Sequence, residues 1–292
     1  MSGILCLCNR DNSPVDTNIL TVMAQSMSRR GHDGPDIWQK NNIGFGHISL
    51  KTTPESIKEM LPFSDGSSGL SITADARIDN RTELFVLLGL GGAQAGTITD
   101  SLLILYTYKK WGRRCAEYLV GDFVFLIWDS IKQQLICARD HLGIKPLYYY
   151  LSGNIFAAAS DVQALLTHPY VPHTLNEARI ADFLVTQLEG IDKISTFYHE
   201  IYRLPPAHVL TLSGDKMHIS EYWRLDPEFE THYKSDNDYT EKFTEIFSRS
   251  IRDRLRCNGQ VAAMLSGGID SSSIVAIASS INRQNSGVPL QI

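Results

Sequence analysis

The segment that most constrains this chain lies between residues 261 and 272. An apolar run, Val261 to Leu265, leads into Ser-Gly-Gly-Ile-Asp-Ser-Ser at 266 to 272, and an apolar-periodic segment follows. This order predicts a strand, a glycine turn and a helix start. Backbone N–H groups and the positive end of the helix dipole converge at such a junction, which favours a phosphate or pyrophosphate group there.

The side chains of this loop suit the same ligand. The paired glycines, Gly267 and Gly268, let the backbone approach an anion closely, and Asp270 can hold a divalent cation. Hydroxyl donors come from Ser266, Ser271 and Ser272. Because no Gly-Lys-Ser/Thr closes the loop, a P-loop kinase or GTPase is unsupported. The alternative is a serine-rich turn that only caps a helix.

Composition excludes several classes of protein. The formal net charge of -5 and the pI near 6.0 give no general attraction to nucleic acid or to an anionic membrane. The five cysteines have no Cys-x-x-Cys spacing, which indicates neither a disulfide framework nor a zinc knuckle. The sequence shows no export signal and no apolar run of the ~18 residues that a membrane span needs. We expect a cytoplasmic protein without nucleic-acid or membrane partners.

Residues 1 to 225 combine strand-like runs with a few helices. The candidate helices are one capped by Asp16 or Thr17, Ser101 to Trp111 and Asn176 to Leu184. The candidate strands are Gly3 to Cys8, Ile43 to Ser49, Leu70 to Ala74, Phe123 to Trp128, Gln134 to Ala138, Ile155 to Ala159 and His208 to Leu212. They are apolar on both faces as often as they alternate, which predicts sheets covered on each side by other layers. Gly89 to Gly96 predicts a turn rather than a dinucleotide loop.

A polar stretch, residues 226 to 238, predicts a linker to a second region at 239 to 292. Apolar residues at helical spacing from Tyr239 to Leu255 predict a helix in this second region. Asn258-Gly259 then turns the chain into the predicted strand. The buried stripe of the helix after the loop is predicted to consist of Ile274, Ile277, Ala278 and Ile281.

This order of helix, turn, strand, Ser-Gly-Gly-x-Asp-Ser-Ser and helix resembles the start of the synthetase domain in the asparagine synthetase family. Landmarks that look like those of the family's glutaminase-like domain extend the resemblance over nearly the whole chain. They are Met1 to Ile4, Arg30 to Pro35, Gly46-His47, Arg139 to Tyr148 and Leu204 to Pro206. Most of these motifs are ordinary turns when taken alone, but their joint order makes coincidence a poor explanation.

The resemblance implies an α+β protein in two parts. Residues 1–225 would form a type 2 glutamine amidotransferase-like domain, an αββα sandwich of the Ntn-hydrolase kind, and residues 239–292 would begin a doubly wound α/β ATP-pyrophosphatase domain. Members of the family hydrolyse glutamine in the first domain. In the second they use ATP and Mg²⁺ to adenylate a carboxylate, and an amine then displaces AMP. The departing pyrophosphate needs an anion cradle, which residues 266 to 272 would supply.

The same resemblance implies roles for individual residues. Leu265 would lie beside the adenine, and Asp270 would hold Mg²⁺. The phosphate-contacting residues would be Ser266, Gly267, Gly268, Ser271 and Ser272. In the first domain, Asp100 matches the acid that holds the amine of glutamine, with a helix cap before Leu102 as the alternative.

The glutaminase half departs from the family pattern. Ser2 stands where the family has its cysteine nucleophile, and a hydroxyl is a weaker nucleophile toward an unactivated amide than a thiol. Ser49 replaces the arginine for the substrate carboxylate, although Lys51, expected on the same face of a strand, can partly substitute. Asp75 begins the triplet Asp-Ala-Arg in place of Asn-Gly-Glu, which removes an oxyanion donor.

These features predict an amide-forming ligase with impaired glutaminase activity, acting on a small-molecule or peptide carboxylate and an amine donor. The main alternative is a lasso-peptide or β-lactam-type cyclase, which uses an amine already present in its substrate. Since so little follows the first helix of the synthetase domain, we expect a fragment of a longer protein, or a homodimer or partner that supplies the missing half. A noncatalytic remnant or interaction module is the third hypothesis, because an unpaired edge at Val261 to Leu265 would favour association.

Overall fold

The computed structural model describes residues 1–91, 97–185, 188, 191–285 and 290. Part of the predicted glycine turn (92–96) and most of the residues after the last helix (286–289 and 291–292) lie outside the described residues. The chain divides into two compact units. The first consists of Met1–Leu50 and Lys58–Arg224, and the second of Lys51–Ile57 and Leu225–Ile292.

The first unit contains two antiparallel sheets, each with six strands among the residues described. The strand order in the first sheet is β10 (Ile201–Arg203), β8 (Tyr148–Ser152), β9 (Ile155–Ala159), β1 (Gly3–Asn9), β3 (Ile43–Ile48) and β2 (Pro35–Lys40). The order in the second sheet is β12 (Lys216–Glu221), β11 (His208–Ser213), β7 (Gln134–Arg139), β6 (Gly121–Asp129), β5 (Leu70–Ile78) and β4 (Phe63–Asp65). Strand β1 lies inside its sheet, where Cys6 pairs with Phe45 on one side and Ala158 on the other.

Helices cover the outer faces of both sheets. Those of the first unit are α1 (Thr17–Ser26), α2 (Arg81–Leu88), α3 (Asp100–Trp111), α4 (Val162–Leu166) and α5 (Glu177–Leu184). Asp16 caps α1, because its side chain accepts a hydrogen bond from the Asn18 N–H. The second unit contributes α6 (Asp236–Arg254) and α7 (Ile269–Asn285). None of the helices in the described ranges is both long and apolar enough to span a bilayer.

Three apolar clusters fill the spaces between the layers of the first unit. The middle cluster joins the facing sides of the two sheets, through residues such as Phe45 and Leu126. One outer cluster packs α1 and α4 on the first sheet, and the other packs α3 on the second sheet. Both faces of each sheet are therefore buried, as the strand composition predicts, and the αββα arrangement is confirmed.

The second unit is built mainly from α6 and α7. Ser235 and Asp238 form a capping box at the start of α6. The predicted strand at Val261 to Leu265 is wrong, because only Ala262 makes an isolated bridge. A strand of a doubly wound sheet depends on neighbouring strands, and none is described in this unit.

The predicted stripe of α7 is partly wrong. Val275, Ala278 and Ile281 are buried in one cluster with Ile251 of α6. Ile277 packs against this cluster, but Ile274 is 43% exposed. In its second turn, α7 thus buries Val275 in place of the predicted Ile274.

Candidate functional site

Ser2 lies at the entrance of β1 and is buried, with 8% of its surface exposed. Its Oγ accepts a hydrogen bond from the Leu50 N–H at 3.0 Å and donates to the Leu50 carbonyl oxygen at 3.4 Å. Arg30 Nε donates to the Ser2 carbonyl oxygen at 3.1 Å. The candidate nucleophile is therefore held at both its hydroxyl and its main chain.

Asp75 and Lys145 lie around the same end of β1. Burial lowers the pKa of the Met1 α-amine. The nearby Asp75 carboxylate acts in the opposite direction, whereas the positive charges of Lys145 and Arg30 lower this pKa further. Lys145 Nζ donates to Asp75 Oδ1 at 2.8 Å, and both side chains are largely buried. The position where the resemblance implies an oxyanion donor thus holds a carboxylate that is paired with a lysine.

The turn between β7 and β8 positions Lys145. Asp140 Oδ2 accepts from the Lys145 N–H at 2.9 Å, and Asp140 Oδ1 accepts from the Ile144 N–H at 2.8 Å. Arg139 donates to the carbonyl oxygens of Gly143, Lys145 and Leu204, each at 2.6 Å. These hydrogen bonds fix the turn in one conformation, so that Lys145 is presented to Asp75 by a rigid support.

Asp100 is buried at the first turn of α3 and forms an ion pair with the Arg81 side chain. Its Oδ1 pairs with Arg81 Nη1, and its Oδ2 accepts from the Ile78 N–H at 3.2 Å. The cap hypothesis for Asp100 is wrong, because Thr99 Oγ1 accepts from the Leu102 N–H and caps α3. The resemblance assigns the Asp100 carboxylate to the amine of glutamine, but in this chain Arg81 already pairs with it.

Lys51 does not lie on a strand, since β3 ends at Ile48, and the prediction that Ser49 and Lys51 share a strand face is wrong. Lys51 Nζ donates to the Ile57 carbonyl oxygen at 2.9 Å. Arg77 pairs with Asp79 at 3.1 Å. Sequence reasoning missed Arg81 as the partner of Asp100 and Lys145 as the partner of Asp75. The available signals were the position of Arg81, four residues after Arg77, and the presence of Lys145 in the Arg139 to Tyr148 motif.

The 266–272 loop forms an open turn at the start of α7. Gly267 has a φ of +83°, a backbone conformation that residues other than glycine rarely adopt. A Cβ at this position would meet no atom within 4 Å. Ser266 Oγ and Ser271 Oγ lie 2.9 Å apart, and Ser272 Oγ donates to the Gly268 carbonyl oxygen at 2.8 Å. Leu265 just before the loop is 48% exposed. The backbone of Ser266, Gly267 and Gly268 is therefore exposed, with open space at Gly267.

These residues fit a phosphate group, and they offer a single carboxylate to a metal ion. The first-turn N–H groups, the hydroxyls and the space at Gly267 suit an anion. Asp270 lies in the first turn of α7. No cluster of three or more His, Cys, Asp or Glu suited to a metal occurs in the described part of the chain. Mg²⁺ often takes one or two carboxylates together with substrate phosphates, so Asp270 alone fits it as part of a nucleotide complex.

Comparisons with known proteins match both units. The glutamine amidotransferase domain model matches residues 1–223, and the asparagine synthase model matches residues 242–288. The chain belongs to the glutamine amidotransferase family. Its second match identifies it as an asparagine synthetase-like member of this family.

Relatives include asparagine synthetase [glutamine-hydrolyzing] 3 of Bacillus subtilis (strain 168), which is 29% identical over 92% of this chain and 43% of its own length. Amidase chry2 of Gibberella zeae is 28% identical over 91% of this chain and 40% of its own length. This amidotransferase chain thus spans less than half the length of these relatives. A solved glutamine phosphoribosylpyrophosphate amidotransferase from B. subtilis has a TM-score of 0.55 at 14% identity, over 95% of this chain and 64% of its own. That likeness supports the fold.

Proposed function

We propose that the protein is part of an ATP-dependent, amide-forming ligase in which glutamine hydrolysis is lost or strongly impaired. The observation that carries the ligase activity is the open Ser-Gly-Gly-x-Asp-Ser-Ser turn at the start of α7, inside the segment that matches asparagine synthase. When bound, Mg²⁺ and ATP supply the leaving group that activates a carboxylate. The chain's own contribution is to hold the phosphates with backbone N–H groups and the hydroxyls of Ser266, Ser271 and Ser272.

The impaired glutaminase follows from the charges in the first unit. Asp75 would repel the negative charge that develops on the amide oxygen during attack, and Lys145 already occupies one of its oxygens. Arg81 occupies Asp100, which would otherwise hold the amine of glutamine. The amine that forms the new amide therefore comes from free ammonia or from the substrate itself. The second source corresponds to an intramolecular cyclase, and the ion pairs at Asp75 and Asp100 favour it as the alternative function.

The substrates and partners belong to the same proposal. The ligase would act on a small-molecule or peptide carboxylate, and the remainder of the synthetase domain would come from a longer form of this chain, from a second copy or from a partner.

Binding of pyrophosphate in the presence of Mg²⁺, measured by calorimetry on the 292-residue chain, tests the phosphate site. We expect Asp270→Asn to weaken binding by about tenfold or more, since a charged ligand to the cation is lost. The matched control is Asp236→Asn, which removes an acid from the first turn of α6. Equal binding by wild type and Asp270→Asn, or no binding at all, would contradict the proposal.

Release of glutamate from glutamine tests the second part of the proposal. We expect no release above background for the wild type, and the same for Ser2→Ala and Ser2→Cys, because the charges at Asp75 and Asp100 remain in both variants. Glutamate release by the wild type that Ser2→Ala abolishes would show instead that the glutaminase is intact.

A further inference from the structure

Helix α5 has the reverse of the usual distribution of side chains. Its buried residue is Arg179, which is 6% exposed, whereas Phe183 and Leu184 are 49% and 76% exposed. A surface helix normally buries its apolar residues and exposes its charges. This arrangement is typical of a surface that another molecule covers.

The guanidinium of Arg179 has an unsatisfied nitrogen. Nη1 is buried and has no hydrogen-bond partner in the part of the chain that the structure describes. The charge of Arg179 acts on Asp192, but the Asp192 carboxylate accepts its hydrogen bonds from Ser195 and from the Ile194 N–H. A buried guanidinium nitrogen without an acceptor carries a desolvation cost, which an acceptor from another molecule would offset.

Exposed apolar side chains follow Arg179, at the end of α5 and in the segment that leads to β10. We call them, with Arg179, the α5 surface; its exposed members are Phe183, Leu184, Ile191, Ile194 and Phe197. The rings of Phe183 and Phe197 meet edge to face, with centroids 5.3 Å apart. Exposed apolar side chains that contact each other mark interaction sites more often than isolated ones do.

Main-chain hydrogen bonds hold the α5 surface in place. The Asn176 N–H, at the cap of α5, donates to the Phe197 carbonyl oxygen at 2.9 Å. The Arg203 N–H of β10 donates to the Ile194 carbonyl oxygen at 2.7 Å. Because these segments are fixed to each other and to the sheet, little conformational entropy is lost when the surface is covered.

We propose that the α5 surface is a docking site for a polypeptide segment in which an Asp or Glu carboxylate lies between apolar side chains, the carboxylate pairing with Arg179. A purely apolar partner would leave the guanidinium unpaired, and a small inorganic anion would leave Phe183 and Phe197 exposed. The planar fork of arginine matches a carboxylate with two parallel hydrogen bonds. Arginine and aromatic side chains are also the residues that most often dominate binding energy at interfaces. This inference does not depend on the proposed ligase activity.

Selection of a displayed library of random peptides on the 292-residue chain tests the proposal. We expect the recovered peptides to share an acid flanked by apolar residues. For a synthetic peptide of this kind, Arg179→Met should weaken binding by about 10- to 100-fold, and so should replacement of the peptide's acid by its amide. The control variant Arg224→Met removes an exposed arginine that pairs with Glu221, and it should bind like the wild type.

Stability provides a second measurement that separates docking from a structural role. Arg179→Met removes a buried guanidinium that has an unsatisfied nitrogen but keeps an apolar chain of similar length, so its urea midpoint should rise while peptide binding falls. A lower midpoint would mean that Arg179 supports the fold, and would overturn the proposal. The same conclusion follows if no peptides are recovered, if they lack acids, or if they bind Arg179→Met equally well. A dimer in sedimentation that Arg179→Met dissociates, without peptide binding, would replace the peptide by a second copy.

Discussion

Arg81 and Asp100 form a buried ion pair, and removing one partner should be costly. Asp100→Asn leaves the Arg81 guanidinium buried beside a neutral amide. We expect the free energy of unfolding to fall by about 3 kcal/mol, because the remaining charge loses its compensation. Glu221→Gln is the matched control, since it breaks the exposed Arg224–Glu221 pair and should cost at most ~1 kcal/mol. Urea unfolding measures both changes, and equal losses would contradict the assignment.

His168 links stability to pH. It is buried, its Nδ1 accepts from the Tyr170 N–H at 3.3 Å, and burial lowers its pKa below the ordinary 6.5. Between the folded pKa and 6.5 the unfolded chain binds a proton that the folded chain does not, so the free energy of unfolding falls as the pH drops below 6.5. We expect a lower urea midpoint at about pH 5.5 than at about pH 7.5, with a smaller difference in His168→Gln. The exposed His199→Gln should keep the wild-type difference.

At the scale of the elements, Gly121 allows β6 to pair with Ile78 of β5, whose N–H donates to Asp100. Its φ is +146°, and a Cβ there would lie 2.0 Å from the Arg77 carbonyl oxygen. Gly121→Ala must therefore move backbone, which would also shift the Ile78 N–H away from Asp100. We expect a loss of about 3 kcal/mol or more in the free energy of unfolding.

Gly153→Ala is the matched control for Gly121→Ala. Gly153 also has a positive φ, of +53°, but a Cβ there would meet open space. Its replacement should cost only about 1 kcal/mol of backbone strain. If both variants lose the same amount, the close approach at Gly121 is not the cause.

Sequence patterns predict the elements of the first unit well where apolar runs are long. Ile155–Ala159 and His208–Ser213 form strands at or within one residue of the predicted ends, because both lie in covered sheets. The short edge strand Phe63–Asp65 is missed, since it has too few residues to show a period. The predicted strand at Val261 to Leu265 fails for another reason. An apolar run forms a strand only when neighbouring strands pair with it, and the sequence of the run carries no information about those neighbours.

The cations that pair with Asp75 and Asp100 were harder to predict than these two acids. Asp75 and Asp100 stand out because they occupy family positions, but Lys145 is 70 residues from Asp75 and Arg81 is 19 residues from Asp100. Only the tertiary fold brings these pairs together, one between β5 and the turn after β7 and the other between the starts of α2 and α3. Local periodicity carries no information about such contacts, so the sequence identifies changed positions without showing what compensates them.

At the scale of the whole molecule, the two units should unfold separately. Among the described residues, the first unit has four buried clusters, three of them large, whereas the second has a single small one around Ile251 and Ala278. All four tryptophans lie in the first unit, at positions 38, 111, 128 and 223. Urea should therefore reduce the helical circular dichroism of α6 and α7 before it changes tryptophan fluorescence. Coincident curves would mean one cooperative unit.

A core variant of the second unit sharpens this measurement. Ile251→Ala removes a buried side chain from the contact between α6 and α7, and should destabilise the second unit by about 2 to 4 kcal/mol. The circular dichroism transition should move to lower urea, while the fluorescence transition stays in place.

If glutamine hydrolysis is impaired as proposed, the Lys145–Asp75 and Arg81–Asp100 pairs should make it difficult to restore by single substitutions. Changing Asp75 to the amide would strand Lys145 in a buried position, and freeing Asp100 would require the loss of Arg81. Each such substitution alone should lower stability, because it leaves a buried charge without its partner. A variant designed to hydrolyse glutamine would therefore have to change both members of each pair at once.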